Sequence, residues 1–195
     1  AKGKVKDIGY IFFHNILQTS DGNFYAVGEG YQKVVSALGV ASTILSRGGS
    51  GGNFKVKVTD MVLFKFNEKF EISDVKVYDK ATNSMELPGG TDFMSPHTLA
   101  ILARAWGAFD YSFMQTNNEH SRFNIGYLDY EKKGDDKGLN FHSIGYNEGQ
   151  ITQDKISLRS KAKWTRVFPA KPGFVTILEY FKKDKRVEFR LEKLN

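Results

Sequence analysis

Three carboxylates stand at positions where the alternation of a strand otherwise places apolar residues: Glu29, Asp60 and Glu179. A buried carboxylate must be paired or hydrogen-bonded, or its pKa rises, and a raised pKa suits a general acid. Two of them about 5–10 Å apart in one cleft would support glycoside hydrolysis. The same residues can instead anchor neighbouring strands through hydrogen bonds. We favour that structural interpretation, so we predict no catalytic residue and no enzyme activity, with these three as the candidates if it is wrong.

The histidines show no metal-binding pattern. None has a second ligand at i+2, i+3 or i+4 with matching geometry, and the four lie far apart, at His14, His97, His120 and His142. His14 and His142 each share strand parity with an isoleucine two residues further on, which favours structural histidines on half-buried strand faces. The sequence therefore predicts no metal site, although distant strands could still assemble one. We keep His142 as a candidate for ligand binding.

Other motifs of cofactor and nucleophile chemistry are missing. The absence of cysteine excludes disulfides, thiolate zinc sites, iron–sulfur clusters and thiol nucleophiles. The glycine-rich residues 48–52 follow a predicted helix and lack the Gly-Lys-Ser/Thr of a phosphate loop, so they predict a linker. Trp106 and Trp164 could stack a sugar or a base, but core packing is the favoured interpretation of both. We predict no cofactor.

The charge balance argues against nucleic-acid binding. The 195 residues carry 28 Lys and Arg against 22 Asp and Glu, a net charge of +6, and the two signs alternate through most of the chain. A nucleic-acid binder concentrates its positive charge on one face. The densest basic run, residues 182–186, falls at a predicted hairpin turn, where it predicts a solvated tip. No segment has the ~18–20 apolar residues that a membrane-spanning helix needs.

Period-two alternation dominates the chain and predicts a mostly β, antiparallel fold. The expected strands cover residues 10–17, 24–31, 54–66, 70–78, 111–116, 122–130, 139–146, 150–158, 163–168, 174–182 and 186–194. Residues 79–92 are expected to form a loop, and residues 131–138 a hairpin connection. In the last strand three apolar side chains alternate with charged ones, which predicts that Val187, Phe189 and Leu191 face the core and the charged residues face water.

One short helix is predicted at residues 95–106. Ser95 is a good N-cap, Pro96 suits the first helical position, and Gly107 is a plausible stop. The apolar stripe of this helix comprises Leu99, Leu102, Ala103 and Trp106. A second helix is expected near residues 32–46, where apolar residues recur at helical spacing.

Three hairpins share a pattern of apolar positions around a polar turn, at Asn67, Asn147 and Asp184. If they repeat one module, the chain is a single domain with units at residues 8–80, 108–160 and 161–195 and an insertion at 81–107. The alternative is three unrelated hairpins, because alternation around a polar turn is generic.

The chain resembles the blades of secreted or periplasmic β-propeller-like proteins of unknown function from Bacteroidetes. The segments that carry the resemblance are QTSDGNFYAVGEGY, DMVLFKFNEKFEISDVKV and PGFVTILEYFKKDKRVEFRLEKLN. The resemblance implies about three propeller-like blades and a location outside the cytoplasm. Closed propellers need about four to eight blades. We therefore expect a part of a longer protein, copies that associate, or a closed barrel or sandwich instead.

These observations favour a non-catalytic binding or scaffold module that acts through self-association or through a protein or glycan partner. One alternative is a β-barrel that holds an apolar small molecule, which the aromatic content supports. The other is a carbohydrate-active hydrolase that uses the inward carboxylates.

Overall fold

The computed structural model of the chain describes residues 8–36, 54–87, 91, 93–131 and 138–194. The elements in these residues are β1 (Tyr10–Gln18), β2 (Phe24–Val35), β3 (Phe54–Phe66), β4 (Ile72–Tyr78), β5 (Asn83–Glu86), α1 (Pro96–Ala105), β6 (Tyr111–Thr116), β7 (Arg122–Glu131), β8 (Gly138–Asn147), β9 (Gln150–Ser157), β10 (Trp164–Pro169), β11 (Phe174–Phe181) and β12 (Arg186–Lys193).

The strands form three antiparallel sheets. The first has the order β1-β2-β3-β4, with β5 paired to β3, the second has the order β6-β7-β8-β9, and the third has the order β10-β11-β12. The predicted fold class is confirmed: a mostly β chain with about three blade-like sheets and, in the described residues, one short helix. The closed-barrel alternative is wrong, since no sheet in the described residues closes on itself. Whether the sheets repeat one module stays a prediction.

The chain divides into two compact units. Among the described residues, the first comprises residues 8–14, 27–36, 54–63, 76–87, 91 and 93–109, and the second comprises residues 15–26, 64–75, 110–131 and 138–194. In the first unit, α1 packs on strand residues to form a core whose buried members are Tyr31, Val56, Val58, Leu87, Leu99, Ala100, Ala103 and Ala108. In the second unit, the β6–β9 and β10–β12 sheets share a core of Phe141, Leu158, Val175, Ile177 and Leu194.

The helix begins and ends where its caps predict. The Ser95 hydroxyl accepts a hydrogen bond from the Thr98 amide at 3.2 Å. At the other end, Gly107 has φ +71°, and the amides of Gly107 and Ala108 donate to the Arg104 and Ala103 carbonyls. This is the Schellman arrangement, which favours glycine because the left-handed conformation strains other residues.

Three local predictions are wrong. Residues 32–35 continue strand β2 and are not helical. The rest of the predicted second helix, from residue 37 onward, lies outside the described residues. The predicted linker at 48–53 and the loop residues 132–137 lie outside them as well. Residues 83–86 form strand β5 within the predicted loop. Trp106 is 49% exposed, so it does not belong to the buried stripe of α1.

Strand β12 shows the reverse of the burial that its alternation predicts. Val187, Phe189 and Leu191 are 47%, 68% and 57% exposed, whereas Arg190 and Glu192 on the other face are half-buried. The pairing with β11 explains the reversal: Arg190 lies opposite Ile177 and Glu192 opposite Val175, and both β11 residues belong to the core. Alternation establishes that a strand has two faces, but the packing of its sheet decides which one is covered.

Candidate functional site

Glu29 lies in a buried ion cluster, which we call the lysine cluster and which comprises His14, Glu29 and Lys80. The Lys80 Nζ lies 3.0 Å from Glu29 Oε1, and the His14 Nε2 lies 3.2 Å from Glu29 Oε2. The Glu29 and Lys80 side chains have no exposed surface. A buried carboxylate stays ionised when a cation and hydrogen bonds compensate its desolvation, and this cluster supplies both. Glu29 therefore contacts two side chains of the protein and has no surface open to solvent.

The other two candidate carboxylates also have protein partners. Asp60 accepts a hydrogen bond from the Lys80 backbone amide at 3.3 Å, so the structure brings Glu29 and Asp60 to the same lysine through different atoms. Glu179 is buried in the second unit, with its Oε2 3.6 Å from the Arg190 Nε. The anchoring interpretation of these carboxylates stays a prediction.

The β10–β12 sheet carries an apolar outer surface, which we call the outer face. It comprises three rows of residues paired across the strands: Trp164, Tyr180 and Val187; then Arg166, Leu178 and Phe189; then Phe168, Thr176 and Leu191. Side chains paired in this way point to the same side of a sheet. The core residues Val175 and Ile177 lie on the opposite side.

The outer face is large for an uncovered surface. Besides the three β12 residues, Trp164 and Phe168 are 41% and 42% exposed. The prediction that Trp164 packs in a core is therefore wrong. Together these five side chains present about 500 Å² of apolar surface, towards the upper end of the largest patch found on typical monomers. The largest apolar patch of a monomer is often functional.

A second polar group lies on the β7–β8 hairpin, and we call it the histidine–carboxylate cluster: Asp129, Glu131 and His142. Asp129 and Glu131 are two residues apart on β7, so they project from the same face of the strand. His142 lies on β8 directly opposite Tyr127, which places it beside Asp129 on that face. One ligand-type atom from each residue lies within 4.8 Å of the others.

The geometry of this cluster leaves the imidazole without a hydrogen bond. The His142 Nε2 is 3.6 Å from Glu131 Oε1 and 3.8 Å from Asp129 Oδ2, and it is buried with no hydrogen-bond partner among the described residues. Burial lowers the pKa of His142, and the two carboxylates only partly oppose that effect. The imidazole is therefore neutral at neutral pH, and a neutral imidazole is the form that ligates metals.

Sequence patterns did not predict this cluster, although a predicted hairpin signals it. The predicted hairpin joins the strand that carries Asp129 and Glu131 to the strand that carries His142. Searching for ligands only a few residues apart along the chain overlooks groups that come together across a hairpin. Asp135 and Asp136, in the loop between these strands, lie outside the described residues.

One cavity of the second unit has five amide side chains in its lining. Its volume is about 360 Å³, and its polar lining includes Gln115, Asn117, Arg122, Asn124, Asn147 and Gln150. Tyr146 and Phe174 add aromatic surface. Amide side chains both donate and accept hydrogen bonds, so the amides of this lining suit a ligand with hydroxyl groups. Arg122 and Lys193 add two cations to the lining.

Comparisons with known proteins add a family but no described activity. No helix in the described residues has the length and apolar content needed to cross a membrane. No curated protein and no solved structure matches the chain. One family model, described as a family of unknown function (DUF6770), matches residues 1–195. The chain therefore belongs to this family, DUF6770.

Proposed function

We propose that the chain is a non-catalytic scaffold module that associates with a second copy of itself through the outer face of the β10–β12 sheet. The observation that carries this proposal is the burial of β12, whose apolar side chains point to solvent and whose charged side chains point to the core side. Exposing Phe189 and Leu191 to water is unfavourable, and covering them would recover that free energy.

A sheet is the partner that best fits this surface. The outer face is a grid of three rows on three strands, and sheets pack face to face about 10 Å apart with interdigitating side chains. A second copy supplies a face of the same size and apolar character. The second unit already forms its core by packing one sheet against another, and the second copy would add a further sheet-on-sheet contact.

The position of Arg166 selects one geometry of association. Arg166 is the charged residue of the grid and lies in its middle row, at the β10 edge. A two-fold axis perpendicular to the strands would place Arg166 against Arg166 of the second copy. An axis parallel to the strands places β10 over β12 instead, so Arg166 meets the Phe189 ring of the second copy. The second arrangement replaces like-charge repulsion with a cation–π contact.

The exposed area is sufficient for such a dimer. Two copies that cover about 500 Å² each bury about 1,000 Å² in total, which reaches the lower limit for a specific interface. The rim of the face would add polar area to this value. An interface of this size predicts a dimer of moderate affinity.

Light scattering after size exclusion tests the proposal. We expect the unaltered chain to show twice its 22.0 kDa mass and to dissociate on dilution. Phe189→Glu puts a charge into the covered face and should give a monomer. Phe93→Glu is the matched control, because Phe93 is 98% exposed and lies outside the outer face; this variant should remain dimeric.

The opposite results would overturn self-association. A monomer at concentrations on the order of 100 μM would leave an interface weaker than the buried area implies. A dimer that Phe189→Glu leaves intact would mean that the copies meet elsewhere. Urea unfolding of each variant shows whether a loss of association reflects a loss of folding.

A glycan partner has one observation in its favour, the amide-lined cavity of the second unit. Sugar hydroxyls would bond to its amides, while Tyr146 or Phe174 would offer an aromatic surface. Probing an array of glycans with the unaltered chain and with Gln150→Ala tests this second candidate. Signals that Gln150→Ala reduces would support it, and no signal above background would remove it.

The hydrolase alternative receives less support from the contacts. Glu29 is fully buried against Lys80, and Asp60 and Glu179 are each held by a protein partner. The location outside the cytoplasm is a further part of the proposal, and the resemblance to secreted and periplasmic blades supports it.

A further inference from the structure

We propose that Asp129, Glu131 and His142 bind a divalent transition-metal ion, with Zn²⁺ as the best fit. This inference is independent of self-association, because the three residues lie on β7 and β8 and not on the outer face. It adds a metal site to a module whose proposed role is structural.

The first argument is the distance between the ligand atoms. In a site with bonds of about 2.0–2.2 Å, neighbouring ligand atoms are about 3.0–3.6 Å apart. The two carboxylate oxygens lie 3.6 and 3.8 Å from His142 Nε2, and the ligand-type atoms of the three residues lie within 4.8 Å of one another. The two distances to His142 are too long for hydrogen bonds, and the three side chains need to converge by about 1 Å or less to surround an ion.

The second argument is the unsatisfied nitrogen. His142 Nε2 is buried and has no hydrogen-bond partner among the described residues, although two acceptor oxygens lie close to it. Buried polar atoms almost always have a partner. A metal ion would satisfy the nitrogen lone pair and both carboxylates at once, which a single proton cannot do.

The third argument is charge. Two carboxylates and a neutral imidazole carry two negative charges, and Lys155 offsets one of them through its Nζ, 3.1 Å from Glu131 Oε1. A group that contains two carboxylates attracts a divalent cation. The Lys155 side chain is about one-third exposed, so its ammonium can move into solvent when a doubly charged ion enters.

The choice of zinc follows from the ligand types. An imidazole nitrogen favours Zn²⁺ and other transition metals, whereas Mg²⁺ and Ca²⁺ prefer sites built from oxygen alone. Stacking of His142 on Tyr127, with ring centroids 5.2 Å apart, fixes the plane of the imidazole. Three protein ligands leave one position of a tetrahedral ion for water.

Calorimetric titration of the EDTA-treated full chain with Zn²⁺ is the test. We expect one ion per chain and no comparable binding of Mg²⁺ or Ca²⁺. His142→Ala and Asp129→Asn should each weaken Zn²⁺ binding by about 10-fold or more, since each removes a ligand. His97→Ala is the matched control, because His97 is exposed on α1, and it should bind Zn²⁺ like the unaltered chain.

A second measurement uses Co²⁺ in place of Zn²⁺. Bound Co²⁺ should show visible d–d absorption that His142→Ala abolishes and His97→Ala retains. Asp129→Asn preserves the size of the side chain, so it keeps the test valid if His142→Ala fails to fold. The proposal is overturned if Zn²⁺ gives no saturable binding, if folded Asp129→Asn binds it unchanged, or if His97→Ala loses as much affinity as His142→Ala.

Discussion

The lysine cluster and the histidine–carboxylate cluster use the same residue types to different ends. In each, an imidazole Nε2 faces carboxylate oxygen and a lysine approaches the same carboxylate. The distances differ: His14 hydrogen-bonds Glu29 at 3.2 Å, whereas His142 lies 3.6 and 3.8 Å from its two carboxylates. The ion pair of the lysine cluster is fully buried, while Glu131 and Lys155 are both partly exposed.

This difference separates a buried ion pair from the proposed metal site. Glu29 and Lys80 balance each other's charge, so the lysine cluster has no need of a further ion. The histidine–carboxylate cluster brings two carboxylates together, and His142 Nε2 is buried with no hydrogen-bond partner among the described residues. Full burial of a matched ion pair favours stability, whereas two converging carboxylates beside a partly exposed lysine favour an external cation.

The largest effect is expected from breaking the buried pair. Lys80→Met leaves Glu29 as a buried carboxylate without its cation, and it should lower the free energy of unfolding by about 3–5 kcal/mol. Urea unfolding at pH 7 measures the change. Lys76→Met, at an exposed position of β4, is the control and should change stability by less than about 0.5 kcal/mol. Equal stability of the two variants would contradict a structural role for the cluster.

Replacing both charges together should cost much less than replacing one. In the double variant Glu29→Leu with Lys80→Met, no uncompensated charge remains in the core. We expect it to recover at least about 2 kcal/mol relative to Lys80→Met alone, because apolar residues often replace buried ion pairs without loss. The comparison uses the same urea experiment. A double variant as unstable as the sum of its single variants would show that the two residues act independently.

Sequence patterns predicted the elements because strand and helix signals are local. Within the part of the chain that the structure describes, the alternation located all strands but β5, and Ser95 and Gly107 marked the ends of α1. These signals depend on a residue and its near neighbours. The same patterns could not show that Phe189 faces solvent, because the covering of a sheet face depends on other strands.

Sequence patterns did not predict the two polar clusters, because each cluster forms through contacts between residues that are distant along the chain. Strand parity identified Glu29 as an inward carboxylate, but its cation, Lys80, lies in a predicted loop. Asp129 and His142 approach each other only through the register of β7 and β8. Register is determined by the packing of the sheet and by the connecting turn, so it was not available from spacing alone.

Asp21 is an intermediate case between the two clusters. Hydrogen bonds from neutral donors stabilise its carboxylate, where a cation stabilises the carboxylates of the clusters. Burial alone would raise the pKa of Asp21, but hydrogen bonds from the Thr19 hydroxyl and from Asn23 outweigh that effect and lower the pKa to about 2. The carboxylate therefore stabilises the fold above about pH 4, and this contribution is lost as the pH falls from about 4 to about 2.

The free energy of unfolding of Asp21→Asn should depend less steeply on pH in that range. Because Asp21 is largely exposed, we expect an effect of about 1 kcal/mol, less than the shift in pKa would give for a buried group. Urea unfolding at several pH values between 2 and 5 measures it. Asp184→Asn, which changes an exposed carboxylate in the β11–β12 turn, should keep the slope of the unaltered chain. If the free energy of unfolding had the same slope against pH in both variants, the role of Asp21 would be contradicted.

The smallest effect on stability is expected at Lys155, the counterpart of Lys80 in the histidine–carboxylate cluster. Lys155→Met removes a partly exposed ion pair with Glu131, so the free energy of unfolding should change by no more than about 0.5 kcal/mol. The same variant removes a cation that competes for Glu131, so its affinity for Zn²⁺ should rise. Urea unfolding and Zn²⁺ titration of this one variant test both expectations. If Lys155→Met lost as much stability as Lys80→Met, the ion pairs of the two clusters would be equally important for folding. If Lys155→Met bound Zn²⁺ more weakly than the unaltered chain, Lys155 would support the ion instead of competing with it.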